Sequence, residues 1–162
     1  IRNEESVAEI ISLALLGVRE IAKTNGVLIM QDLSKEDAHI YANKKDIVRA
    51  LSNIMDNAIK YARDGGTKPI VTVSSMMTKG GVVVMISDNG PGILENDLSH
   101  IYERFYRADA SRQRQTGGFG LGLSIAQKII NEHGGSVSVK SKPGKTVFSV
   151  TFLIHRNKKA SH

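Results

Sequence analysis

The chain has no cysteine, no tryptophan and only three prolines among its 162 residues. Without cysteine there can be no disulfide and no thiolate metal site, which fits a reducing compartment. No run reaches the roughly 18 consecutive apolar residues that a spanning helix needs; the longest, Val82 to Ile86, is the length of a strand. Four Tyr and four Phe give few platforms on which single-stranded bases could stack. The chain begins at Ile1 with neither an initiator Met nor a signal-like segment, so it reads as the cut edge of a longer protein.

What is present is a 41% hydrophobic chain, long enough for one domain with a substantial core. Its formal charge of +6 is concentrated in Arg104, Arg107, Arg112 and Arg114 and in a tail carrying Arg156, Lys158 and Lys159. An anion-facing loop plus a solvated tail accounts for that charge more simply than a nucleic-acid surface does. Neither nucleic-acid binding nor direct membrane contact is therefore expected. Residues 1–155 read as one domain and 156–162 as a basic, disordered tail.

Periodicity predicts three helices. Ser6 to Thr24 is apolar at Val7, Ile10, Ile11, Ala14, Leu15, Val18 and Ile21 and is closed by Asn25-Gly26. Lys44 to Ala62 buries Ile47, Leu51, Ile54, Met55, Ala58 and Ile59, and Gly120 to Glu132 ends at His133-Gly134-Gly135. Strands are predicted at Val27–Met30, Ile70–Ser74, Val82–Ser87, Ser136–Lys140 and Thr146–Ile154, the last two joined around Pro143-Gly144. Hairpin-length connections disfavour a parallel doubly wound fold. The expected class is α/β: a two-layer sandwich whose mixed sheet is covered on one face by about three helices. No strand signal occurs between Ile93 and Phe119, and a loop that long is usually a lid or disordered.

Chemistry-bearing residues gather in four places. Asn53, Asn57, Lys60 and Tyr61 lie at i, i+4, i+7 and i+8 of the second helix, a stripe beside its apolar face. Amide oxygens suit Mg²⁺ and a lysine suits phosphates, although a solvated polar edge would show the same spacing. Asp88 stands at the end of the Val82–Ile86 strand and opens Asp88-Asn89-Gly90-Pro91-Gly92. Its carboxylate is placed to accept from an exocyclic amine such as adenine's, with Gly90 and Gly92 leaving room for a ring; a plain turn is the alternative. Gly117, Gly118, Gly120 and Gly122 lead into a helix, where backbone amides and the helix terminus favour an anion. In Tyr102-Glu103-Arg104-Phe105-Tyr106-Arg107, Phe105 could anchor a loop while Arg107 reaches a phosphate, or the segment could be an amphipathic turn. Gly144-Lys145-Thr146 is only a hairpin turn, because Val139 stands where a P-loop needs glycine. None of the five histidines looks catalytic; His133 sits at a helix end, where the dipole favours its charge.

With these residues in hand, the chain resembles the catalytic, ATP-binding domain of two-component sensor histidine kinases, in the superfamily shared with gyrase B, heat-shock protein 90 and the mismatch-repair ATPase. Asn53 to Tyr61 is similar to that family's N box, Asp88 to Gly92 to its G1 box, Tyr102 to Arg107 to its F box, and Gly118 to Leu123 to its G2 box. The order matches and the similarity covers nearly the whole chain. The resemblance implies a Bergerat-type fold and Mg-ATP as ligand. Asn57, supported by Asn53, would hold Mg²⁺, and Lys60 and Arg107 would contact phosphates. Tyr61, Asp88, Gly90, Gly92 and Ile93 would surround the adenine. Residues 93–119 would form the ATP lid, with Phe105, Gly118, Phe119, Gly120, Leu121, Gly122 and Leu123 belonging to the nucleotide site.

Phe119 departs from the family pattern, which usually has threonine or serine there. No histidine is followed by the Glu/Asp, Leu and Arg pattern of a phosphoacceptor helix, so the dimerisation and phosphoacceptor domain is expected upstream of Ile1. The implied partners are those helices and a response-regulator receiver domain, and the need for ATP implies the cytoplasm. Three rivals stand beside this reading: an ATPase of the same superfamily with Asp56 as its only nearby acid, a degenerate nucleotide-sensing module, and a serine kinase of the anti-sigma type.

Overall fold

The fold was obtained as a computed structural model, and the structure describes residues 1–66, 68–103 and 122–154. Strand β1 (Asn3–Ser6) leads directly into helix α1 (Val7–Thr24), followed by β2 (Leu28–Asp32), β3 (His39–Ala42) and helix α2 (Lys44–Asp64). Strands β4 (Ile70–Met77) and β5 (Gly81–Asp88), the short helix α3 (Glu95–Leu98), helix α4 (Gly122–Glu132), and strands β6 (Ser136–Lys142) and β7 (Lys145–Leu153) complete the order.

Five strands form one mixed sheet in the order β2-β4-β5-β7-β6, with β2 and β4 parallel and the other neighbours antiparallel. The α/β sandwich expected from the sequence is therefore the architecture: the hairpin-linked pairs β4–β5 and β6–β7 are antiparallel, and the parallel pair β2–β4 is linked through β3 and α2. Alternation explains it. On β5, Val82, Val84, Ile86 and Asp88 are buried while Val83, Met85 and Ser87 are half-buried on the opposite side. Facing the buried row, α2 contributes Ile47, Leu51, Ile54 and Ile59, each fully buried, and β7 adds Phe148 and Val150. Helices α1 and α4 pack on either flank of α2.

Caps set the helix starts. Ser6 accepts from the Glu9 amide at the head of α1, and Asn43 accepts from the Asp46 amide at the head of α2. Asp37 reinforces the first cap from outside the helix, accepting from both the Ala8 amide and the Ser6 hydroxyl.

Three features differ from the sequence expectation. A second, two-stranded antiparallel sheet pairs β1 with β3. Asn3–Ser6 is polar throughout, and His39–Ala42 is too short for its alternation to stand out from a loop. Ile21 is 38% exposed, and Ala22 takes the inward position instead, where its carbonyl receives the Val27 amide as the chain turns toward β2. His133 accepts the Asn43 amide at Nε2 and holds the Ile129 carbonyl through Nδ1, an arrangement of the neutral ring that joins α4 to the start of α2. Its role is thus a hydrogen-bonded junction, not a charge at a helix terminus.

Ile54 lies at the centre of this packing, fully buried. Ile54→Ala should destabilise the domain by about 2–5 kcal/mol, read as a lowered urea midpoint with unchanged slope.

Candidate functional site

Helix α2 carries the site stripe for a geometric reason. Its apolar positions fill one face, and residues one step round the helix, Asn53, Asp56, Asn57, Lys60 and Tyr61, are left half-buried at the edge of the core. Two other elements close against this edge. Asn53 Nδ2 donates to the Gly122 carbonyl at 3.2 Å, joining the stripe to the start of α4. At the other end, the loop after β5 lies against the last turns of α2. A β-carbon on Gly90 would stand 2.2 Å from the Tyr61 carbonyl oxygen, so no side chain fits there.

Gly92 is constrained twice. Its φ is +91°, and a β-carbon would come within 2.7 Å of the Lys142 carbonyl oxygen. Gly122 is different: a β-carbon would meet Asn53 at an ordinary 3.8 Å, so space does not demand glycine there. What Gly122 supplies in this structure is a carbonyl at the first turn of a helix, where the cost of glycine is smallest.

Asp88 is 3% exposed. Its Oδ1 accepts the Gly90 amide at 2.9 Å, while Oδ2 is buried with no partner among the described residues. Burial pushes the carboxyl up to about 6, against the opposing effect of the Gly90 hydrogen bond. A buried acceptor with an unused oxygen is suited to a ligand amine. Asn89 takes no part in this. Its amide is consumed at the start of β4, accepting from the Ile70 amide and donating to the Lys68 carbonyl.

The β6–β7 hairpin, which the sequence offers only as a turn, holds the loop from the far side. The Gly144 amide donates to the Gly90 carbonyl at 3.0 Å, and the Ile93 amide donates to Ser141 Oγ at 2.8 Å. Ser141 Oγ also bonds Thr146 Oγ1 at 2.6 Å. Thr146 is fully buried and is the strand partner of Asp88. Thr146 and Ser141 are the site residues that sequence reasoning misses. Their only local signal is a hydroxyl at an inward strand position, and the register that puts them under Asp88 is not visible along the chain.

Ile93, 9% exposed, closes this end, and Leu123, 6% exposed, anchors α4 in the core. Tyr102 is half-buried, and its hydroxyl has no partner among the described residues; burial pushes the phenol up to about 12. Phe105, Arg107, Gly118, Phe119, Gly120 and Leu121 lie outside the described residues, as do the basic tail and most of the segment 93–119.

An α/β sandwich with a half-buried amide-and-lysine stripe facing a buried strand-end carboxylate defines a class of nucleotide-binding domain. Residues 42–156 match the family described as histidine kinase-, DNA gyrase B-, and HSP90-like ATPase, and the chain belongs to it. Among curated proteins it is similar to the sensor histidine kinase YkoH of Bacillus subtilis, 45% identical over 117 residues, covering 72% of this chain and 25% of that protein. The chain spans about a quarter of the length of the curated relatives it matches. Among solved structures, the mycobacterial sensor histidine kinase MprB superposes with a TM-score of 0.80 at 23% identity, covering 97% of this chain and 100% of that one. The histidine kinase ThkA, solved in complex with the response regulator protein TrrA, superposes at 0.76 with 22% identity, covering 95% of this chain and 42% of that one.

The buried carboxyl makes a stability prediction. The folded chain keeps the Asp88 proton up to about pH 6, whereas the unfolded chain releases it near 3.8. Folding thus takes up a proton between those values, and stability falls as pH rises through that window, then stays low. Asp88→Asn should therefore stabilise the ligand-free domain at pH 7.5 by about 1–3 kcal/mol, a gain that vanishes near pH 4, measured by urea denaturation at both values.

Proposed function

We propose that this domain binds Mg-ATP and donates the γ-phosphoryl group to a histidine on a dimerisation and phosphoacceptor domain of the same longer protein, for relay to a response-regulator aspartate. The observation that carries the reading is the buried Oδ2 of Asp88, which has no hydrogen-bond partner among the described residues and lies on a loop held against the last turns of α2. Membership of an ATPase family and similarity to named sensor histidine kinases support ATP as the ligand and histidine as the acceptor. The response-regulator partner rests on the relatives being sensor kinases and on the ThkA complex. The reading places the domain in the cytoplasm, where ATP is. No helix among the described residues is long and apolar enough to cross a membrane.

In this reading Asp88 accepts the adenine amine, and Gly90, Gly92, Ile93 and Tyr61 surround the ring. Asn57 and Asn53 would hold the metal. Their chemistry fits a hard cation: the Asn57 amide has no hydrogen bond among the described residues, and Asn53, having turned its NH₂ to Gly122, keeps its oxygen as acceptor. When bound, Mg²⁺ supplies charge neutralisation of the phosphates. Lys60 adds a point charge on the same side. Arg107 and the glycines at 118, 120 and 122 are assigned to the phosphate end, and 93–119 to a lid. This chain's own work is positioning, because the group that accepts the phosphoryl lies on another domain.

Calorimetric titration with ATP and Mg²⁺ tests this. Wild type should bind saturably, and Asp88→Asn and Asn57→Ala should each weaken binding about tenfold or more. Incubated alone with radiolabelled ATP, the chain should label itself negligibly. Absence of heat at millimolar ATP would reduce the motifs to marks of ancestry.

A further inference from the structure

On α2, Asp56 directly precedes Asn57, assigned to the metal, and lies one turn before Lys60, assigned to the phosphates. Its Oδ2 lies 3.0 Å from Lys60 Nζ, one helical turn on. Its Oδ1 is buried from solvent and has no hydrogen-bond partner among the described residues. Stability does not explain this arrangement. A partly exposed i, i+4 ion pair contributes only marginally, and a carboxylate oxygen left buried and unpaired costs more than such a pair returns. The same carboxylate would also repel a triphosphate laid along the stripe.

Resting on the nucleotide reading above, we propose that Asp56 is a positioning residue that makes ATP binding depend on the metal: Oδ2 restrains Lys60, and Oδ1 receives water carried by the cation beside Asn57. Magnesium keeps several of its waters when it binds, and a carboxylate adjacent to a metal ligand is well placed to orient one of them. In the absence of metal, Asp56 both holds Lys60 away from the phosphates and opposes their charge. With metal bound, the negative charge becomes favourable and its spare oxygen is satisfied. On this account Asp56 does not activate water for hydrolysis, which separates the domain from the ATPase alternative.

The test is a pair of calorimetric titrations of the 162-residue chain with ATP, one in EDTA and one in excess Mg²⁺, for wild type, Asp56→Asn and Lys60→Met. The quantity read is the ratio of the two dissociation constants, the thermodynamic coupling between metal and nucleotide. For Asp56→Asn the ratio should fall about tenfold, metal-free ATP binding about threefold more tightly and Mg-ATP more weakly. Lys60→Met should weaken both titrations. An unchanged ratio in Asp56→Asn overturns the proposal, as does weakening of both titrations to the same extent, which is what a purely structural role gives. Asp56→Ser, which also removes the charge, substitutes for Asp56→Asn if thermal melting shows that variant unfolded. Failure of wild type to bind ATP in either titration sinks the nucleotide reading itself, a result distinct from binding with unaltered coupling.

Discussion

The constraint on which the rest of this structure depends is the approach of the Asp88–Gly92 loop to the backbone of α2. Gly90 lies so close to the Tyr61 carbonyl that no β-carbon fits between them, and Gly65, just past the helix, would also collide with Gly90 if it had one. That contact fixes where β5 ends relative to the helix. It thereby fixes the distance between the buried carboxylate of Asp88 and the stripe running from Tyr61 back to Asn53. The opposite side of the loop is held just as firmly, by the Gly144 amide on the Gly90 carbonyl and by Ser141 on the Ile93 amide. A loop pinned on both sides can hold its carboxylate in place before a ligand arrives.

Such placement has an energetic consequence. The interior position that leaves Asp88 an unused acceptor also raises its carboxyl to about 6, so near neutral pH the ligand-free domain carries an ionised group in a poorly solvated place. The sheet tolerates it because Ile86 and Phe148, next along the same face, and Val84 and Val150 beyond them supply apolar burial. Thr146 at 0% exposure, bonded to Ser141, shows that the polar layer continues beneath the carboxylate and is not an isolated defect. A site of this kind is where local rules for a stable core are expected to be broken.

Much of this was legible in the sequence, and the limits have physical causes. The α2 stripe could be read because helical spacing converts sequence distance into position on a face, and Asp88 because a strand's end is marked by the turn after it. The β1–β3 pair could not, since four polar residues carry no periodic signal and the pairing is long in range. Thr146 and Ser141 could not be read either, because their meaning lies in register across β5, β7 and β6, a property of the folded sheet. His133 was visible at a helix end but not its partner, the amide of Asn43, 90 residues away.

The charges of the site are divided unevenly along its length. The adenine end, in the proposed reading, has one buried carboxylate whose Oδ2 has no partner among the described residues. The phosphate end, on α2, has Lys60 already paired with Asp56, so these two side chains sum to no net charge. A triphosphate laid along such a surface meets neutral amides and a compensated lysine, which cannot by themselves offset its charge. No group of three or more His, Asp or Glu converges among the described residues to bind a metal in advance. In the proposed reading, cation and nucleotide enter as a unit, each supplying ligands or charge that the α2 stripe lacks. In the proposed reading, dependence on the metal would follow from the polar side chains of one helical stripe, two asparagines, one aspartate, one lysine and one tyrosine, in which the lysine is already paired with the aspartate.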